Sequence, residues 1–294
     1  MKMLIGFETA STSLRGDRDI NQDRCAAITE GDTALLLLAD GMGGHPKGEA
    51  AAQIFIDTGR AAFNSTPKPI QDGAQFLDDL LAVAHERIVG YGNSQHPPID
   101  PRATAVAALV VGGVVYWNHM GDSRLYLIRD HQVLVRTQDH SYVEHLRSQG
   151  LISAGDIANL RIRNLVTQCL GGHGLHLADG RGRSISLRSQ DLLVLCSDGL
   201  WSQLPEQQLL SQARHQGSLS RMTRDLAMAA QREKAPTSDN VSILVLRWLG
   251  QGPTVDYQQP VSAIPAVPGQ GVDQAIDYLR SAIEDFESEE PSKK

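Results

Sequence analysis

The sequence is poor in cysteine, carries no surplus of positive charge and contains no long apolar run. Each shortage excludes a class. The three cysteines, Cys25, Cys169 and Cys196, stand far apart with no CxxC spacing. That pattern fits neither a disulfide framework nor a zinc site, and it suits a reducing compartment. A formal net charge of −7 argues against a general nucleic-acid binder, which normally shows a basic face. No apolar stretch approaches the roughly 18 to 20 residues that a membrane helix needs. The opening MKMLIGFETA reaches Gly6 and Glu8 too early for the apolar region of a signal peptide. The expectation is a soluble, cytoplasmic protein with no membrane insertion and no nucleic-acid partner.

What is present suffices for a sizeable core, since 41% of the 294 residues are apolar. Residues 1–249 read as one domain. Residues 250–271 are rich in Pro, Gly and Gln without sustained periodicity and read as a linker. In residues 272–294, Ile276, Leu279, Ile283 and Phe286 recur at helical spacing among acids, which predicts an acidic amphipathic helix and tail. Eight acids and three bases lie from residue 250 onward, so most of the net charge sits there. Such a helix either stays solvated or docks its apolar stripe on a partner or on the domain.

Within the domain, two amphipathic helices are expected, about Gly48 to Phe63 and about Asp72 to Tyr91. Ala51, Ile54, Phe55, Thr58 and Ala62 line one, and Leu77, Leu80, Leu81, Ala84, Ile88 and Val89 line the other. Strands follow in hairpin succession. AVAALVV and VVYWNHM are joined by Gly112-Gly113, MGDSR turns into LYLIR, and Asp130-His131 turns into QVLVR. SISL and DLLVLCS flank RSQ, and NVSILVLRW closes the domain. Short turns imply antiparallel pairing. Runs such as LLLL and LLVLC are apolar on both faces, so those strands are covered on both sides. Two packed sheets with helices outside meet that demand.

The stretch LADGMGGH, Leu38 to His45, drives an apolar strand into a bare aspartate. The pattern recurs: Asp40, Asp122 and Asp198 follow apolar strands and Asp239 precedes one, three of the four with glycine adjacent. A single such aspartate is commonly a turn or cap residue. Four clustered at the rim of a sandwich would repel one another unless protonated or neutralised by cations. Oxygen-only ligands favour Mg²⁺ or Mn²⁺ over zinc. Glycine at position 41 would let a backbone carbonyl approach such an ion. Upstream, GDRDINQDRC combines Arg18 with Gln22 and Asp23. A guanidinium fork suits a phosphate, although a surface salt bridge is the plainer role for Arg18 alone.

RDINQD, ADGMGGHPKGEAAA, ATAVAAL, MGDSRLYLIR, QDHSYV, RNLVTQCLGG, LLVLCSDGLW and SDNVSILVL occur in this order over roughly residues 5 to 248. Together they resemble the bacterial form of the metal-dependent serine/threonine protein phosphatases, the phosphatase 2C type. The resemblance implies an α+β fold, a four-layer α-β-β-α sandwich of two mainly antiparallel sheets. It implies a centre of two Mn²⁺ or Mg²⁺ ions, with Asp40 bridging both. The Gly41 carbonyl would hold one ion and Asp198 and Asp239 the other, while Asp122 would join Asp198 at a third, weaker site. Gln22 and Asp23 match the pair that orients metal-bound water, with Gln22 standing where many members have glutamate. Arg18 matches the arginine that grips the substrate phosphate, and residues 141 to about 165 match a mobile flap.

Two cations about 3.5–4 Å apart can share one water and lower its pKa, giving a hydroxide that attacks phosphorus in line. Arg18 and the ions then offset charge on the phosphoryl oxygens. No cysteine is followed by a Cys-x5-Arg loop, consistent with no covalent intermediate. For the leaving-group proton, family resemblance offers no histidine at position 42, which is Met42; His45 and a metal-bound water are the candidates. Thr104, Trp117, Trp201 and His140 read as structural. The expected partners are phosphorylated proteins and, by analogy, a cognate serine/threonine kinase whose action is reversed. The alternatives are an inactive phosphoprotein-binding module of the same fold, against which the intact acids speak, and a small-molecule phosphate hydrolase.

Overall fold

The computed structural model describes residues 6–148, 165–172, 184–214 and 217–250. The expected linker beyond Gly250 and the C-terminal helix lie outside the described residues, as does most of the expected flap, whose described start forms α3 (Tyr142–Ser148). Two five-stranded antiparallel sheets make up the domain. One runs in the order β1 (Phe7–Leu14), β10 (Val241–Trp248), β9 (Leu192–Cys196), β6 (Arg124–Arg129) and β7 (Gln132–Arg136). The other runs β2 (Arg24–Glu30), β3 (Thr33–Ala39), β4 (Ala105–Val111), β5 (Val114–Met120) and β8 (Ser184–Ser186).

The parity of each strand sorts its side chains into layers. In β3, Leu35 and Leu37 face the helices α1 (Gly48–Ser65) and α2 (Gly73–Ser94), while Leu36 and Leu38 face the other sheet. All four leucines are fully buried, which accounts for the uninterrupted LLLL run. Each contributes about 1.5–3 kcal/mol of transfer free energy. In β9 and β10 the same alternation sends Leu193, Leu195, Leu244 and Leu246 between the sheets. Val194, Ile243 and Val245 point to α5 (Glu206–Arg214) and α6 (Leu219–Lys234), which bring Leu209, Met222 and Leu226. Three apolar layers between four structural layers give the α-β-β-α sandwich expected from the sequence. Trp117 is part of the inter-sheet core.

Both tight hairpins occur where the sequence places them. Gly112 and Gly113 have φ of 55° and 82°, and Asp130 and His131 have φ of 50° and 64°. Two successive positive φ values match the twist of the flanking strands. Two other expected hairpins are corrected. β8 pairs with β5, whereas β9 lies in the opposite sheet between β10 and β6, so Arg188–Gln190 leads from one sheet to the other. Likewise Gly121–Ser123 crosses from β5 to β6 in the other sheet. Turn residues fix a reversal of direction but not the sheet that the next strand joins. Among the described residues, no helix is long and apolar enough to cross a membrane.

Candidate active site

The crossing turn explains why distant acids share one place. Leu38 pairs with Val106 and Ala105 with Met120, so Asp40 and Asp122 leave the same end of their sheet. In the other sheet Cys196 pairs with both Arg124 and Ile243. Asp198, which opens the short helix α4 (Asp198–Trp201), and Asp239, which precedes β10, therefore emerge beside Asp122. The three buried layers deliver four carboxylates to one rim.

Their electrostatics show how close they are. The carboxyl groups of Asp40 and Asp198 lie close enough that each shifts the titration of the other. Burial, and after it the charges of Asp23, Asp198 and Asp122, push the Asp40 carboxyl well above the ordinary carboxylate range. Burial and the charge of Asp239 raise Asp198. Burial with Asp198 and Asp139 pushes Asp122 up to about 8. Asp23 is pushed up to about 6 by burial, even though Ser197 Oγ–H donates to it and the Ser242 hydroxyl nearby favours its charged form. Without a cation the cluster holds more negative charge than a desolvated corner tolerates, so it retains protons.

Asp239 is answered differently. Arg18 Nη2 lies 2.7 Å from Asp239 Oδ2. That bond and the fields of Asp239, Asp198 and Asp40 raise the Arg18 pKa further. The Arg18 side chain is 58% exposed, so the rest of its fork is open to an incoming anion.

The donor set fits hard divalent cations. It is all oxygen, it is over-supplied with negative charge, and Asp23 Oδ1 is buried without a hydrogen-bond partner while its Oδ2 accepts from Ser197 Oγ at 2.8 Å. Among the described residues no three acids, histidines or cysteines are drawn tightly around one point. Mg²⁺-type sites commonly use one or two carboxylates and keep several waters, which a loose rim of acids accommodates.

Other residues singled out in the sequence take structural places around the site. A Cβ on Gly41 would lie 2.4 Å from the backbone carbon of Gly48, and one on Gly48 would lie 2.8 Å from that of Gly41. Glycine at 41 is thus required by the packing of this loop on α1, whatever its carbonyl binds. Gln22 Nε2 donates to Glu49 Oε2 at 3.4 Å. Thr104 Oγ1 accepts from the Asp40 backbone N–H at 3.1 Å, and the Thr104 N–H donates to Asp40 O at 2.8 Å, so this buried threonine holds the central acid. Trp201 Nε1 donates to the Asp122 carbonyl at 2.9 Å. The ring of Trp201 lies 3.5 Å beneath the Arg124 guanidinium, which is paired with Asp139.

His140 stacks on His119 with centroids 4.3 Å apart and accepts from the Gly121 N–H, a structural role next to the Asp122 turn. His45 Nδ1 stands 4.0 Å from Asp100, which Arg102 also holds. Sequence reasoning did not single out Ser197, Ser238 or Asn240. Their signal is only that they adjoin Asp198 and Asp239.

A model of the protein phosphatase 2C family matches residues 11–237. The serine/threonine phosphatase stp of Listeria monocytogenes is 30% identical over 195 residues, which are 65% of this chain and 77% of that protein. The crystal structure of the Mycobacterium tuberculosis serine/threonine phosphatase PstP/Ppp matches at 28% identity with a TM-score of 0.72, over 83% of this chain and 99% of that one. The PstP catalytic domain in complex with 2 manganese ions matches with a TM-score of 0.71, also at 28% identity. On the family match over most of its length, and on the fold it shares with these structures, the chain belongs to the protein phosphatase 2C family.

Proposed function

We propose that the protein is a metal-dependent hydrolase of phosphoserine and phosphothreonine in proteins, reversing a serine/threonine kinase. The observation that carries the reading is the convergence of Asp40, Asp122, Asp198 and Asp239 on one rim with Arg18 beside them. Asp40, the Gly41 carbonyl, Asp198 and Asp239 are the residues that would hold two divalent cations, Mn²⁺ or Mg²⁺, and Asp122 with Asp198 would hold a third more weakly. Bound there, the cations supply an acidified water as nucleophile and neutralise charge on the phosphoryl oxygens.

The chain's own groups supply the rest. Arg18 offers its exposed N–H groups to the phosphoryl oxygens and leaves Asp239 to the cation. Asp23 Oδ1, desolvated and unpartnered, accepts a hydrogen bond from water at the floor of the site. Ser197 fixes its other oxygen, so the carboxylate cannot turn away. Asp40 keeps its place through two hydrogen bonds with Thr104. Nothing in the arrangement calls for an enzyme-bound phosphoryl group.

An inactive binding module would be expected to have lost one of these acids, and none is lost. The test is hydrolysis of a phosphothreonine peptide with Mn²⁺, with Mg²⁺ or with excess chelator, for the parent and for Asp198→Asn. Activity should need the metal and should vanish in Asp198→Asn, with the far-UV circular dichroism unchanged. Full activity in chelator would overturn the mechanism.

A further inference from the structure

We infer that Asn240 is a positioning residue that fixes the phosphate-gripping Arg18 over the acids by clasping two loops together. The inference rests on the phosphatase reading above. The loops are residues 15–22, which follow β1, and residues 237–240, which precede β10.

Asn240 is 5% exposed, and its side chain spends every polar group on the other loop. Its Nδ2 donates to the carbonyls of Arg15 at 2.7 Å and Ile20 at 3.0 Å. Its Oδ1 accepts from the Gln22 N–H at 2.8 Å. Arg18 lies between the first two anchor points in sequence. A second set of bonds lies beside it. Ser238 N–H and Oγ–H donate to Asp17 Oδ2 at 3.0 and 2.7 Å, and the Asp17 N–H donates to the Ser238 carbonyl at 3.1 Å. Gly16, at φ of 64°, brings the backbone so near that a Cβ there would lie 2.1 Å from Asp239 O.

The chemistry needs asparagine in particular, because two carbonyls require two donors and one N–H requires an acceptor. Aspartate would supply no donor and alanine neither. The Arg18 side chain is long and exposed, so its own packing does little to hold it. Its reach to a phosphoryl oxygen is set by the place of its backbone, which the clasp determines. Misplacement of a binding group by about 1 Å can cost on the order of 100-fold in rate. Asn240 also joins the two functions of the site. Its own N–H donates to Asp239 Oδ1 at 2.8 Å, so one residue registers the phosphate grip against a metal acid.

The experiment is a double-mutant cycle. Asn240→Ala, Ser238→Ala and Arg18→Ala are made singly, and each clasp variant is combined with Arg18→Ala. Two quantities are read on the Mn²⁺-loaded proteins: KM and kcat for a phosphothreonine peptide, and the Kd of inorganic phosphate by calorimetry. Asn240→Ala should raise both KM and the phosphate Kd about tenfold while kcat stays within about threefold. Ser238→Ala, which keeps the backbone bonds to Asp17, should move both the same way by less. In the Arg18→Ala background neither clasp variant should weaken phosphate binding further, because the group they act through is gone.

Equal factors in both backgrounds would overturn the inference, as would a lower melting temperature with KM and phosphate Kd unchanged. Either would make Asn240 merely structural. Turnover by the parent protein tests the phosphatase reading separately, and the calorimetric arm tests the clasp whether or not that reading holds.

Discussion

Replacing Asp122 by asparagine should stabilise the metal-free protein. In the folded chain the Asp122 carboxyl is pushed from 3.8 up to about 8 by burial and by the charges of Asp198 and Asp139. Between these values the folded state keeps a proton that the unfolded state has released. Stability then falls as pH rises, by about 1.4 kcal/mol per pH unit for one proton. Over the whole interval the loss would reach about 6 kcal/mol at full desolvation. Asp122 is only half-buried, and water at its open face reduces this to about 2 kcal/mol. Asparagine keeps the shape and removes the titration. In chelator at about pH 8, Asp122→Asn should therefore be the more stable protein by about 2 kcal/mol, or about 5 °C in melting temperature. At about pH 4 the two should coincide. Added Mn²⁺ should shrink or reverse the difference, because the ionised acid then gains a partner. Urea titrations across that pH range, with and without chelator, measure all of this. A difference independent of pH, or a variant less stable than the parent at about pH 8 in chelator, would refute the charge-crowding argument.

Two further outcomes follow from the site and the core. Arg18→Ala should raise KM for a phosphopeptide by about 10- to 100-fold with a smaller change in kcat, if its grip is equal in ground and transition states; steady-state kinetics would show it, and an unchanged KM would remove Arg18 from the phosphate site. Burial pushes the thiols of Cys169 and Cys196 up to about 11 and about 12 and raises that of Cys25, so the folded protein should resist iodoacetamide at about pH 8 and react fully once unfolded. Rapid alkylation of Cys196 in the folded state, seen by mass spectrometry, would contradict that packing.

Much of this was legible in the sequence because buried strands announce themselves. The LLLL run of β3 and the LLVLC run of β9 need cover on both faces, and each ends beside an aspartate. The helices α1 and α2 follow their apolar stripes to within a few residues at their ends. Two other helices, α5 and α6, were not assigned from the sequence, although Leu219, Met222, Leu226, Ala227 and Ala230 recur along α6 at helical spacing and are buried. Frequent Arg, Lys and Gln between them obscure the stripe.

Strand partnership was the less readable property. Nothing local distinguishes Asp130-His131, which closes a hairpin, from the turns at 121–123 and 188–190, which change sheets. The clasp through Asn240 was not legible at all, because it joins residues more than two hundred positions apart.

These observations tie the fold to the chemistry in one respect. Like-charged acids on a single rim oppose folding, as the raised carboxyls of Asp23, Asp40, Asp122 and Asp198 show. Three apolar layers beneath the rim offset that cost without touching the acids. The rim itself is then held by hydrogen bonds with neutral groups: the Thr104 hydroxyl under the Asp40 N–H, the Ser197 hydroxyl against the Asp23 carboxyl, the Trp201 indole on the Asp122 carbonyl and the Asn240 backbone N–H on the Asp239 carboxyl. Neutral supports are the consistent choice. A cationic support would neutralise the acids permanently and compete with the divalent ions. Among the described residues Arg18 is the cation paired with one of the four acids, Asp239, and it stands exposed, where on the proposed function a phosphate would draw it away. On the proposed function, the arrangement would keep the negative charge of the rim available for cations and leave the arginine available for substrate.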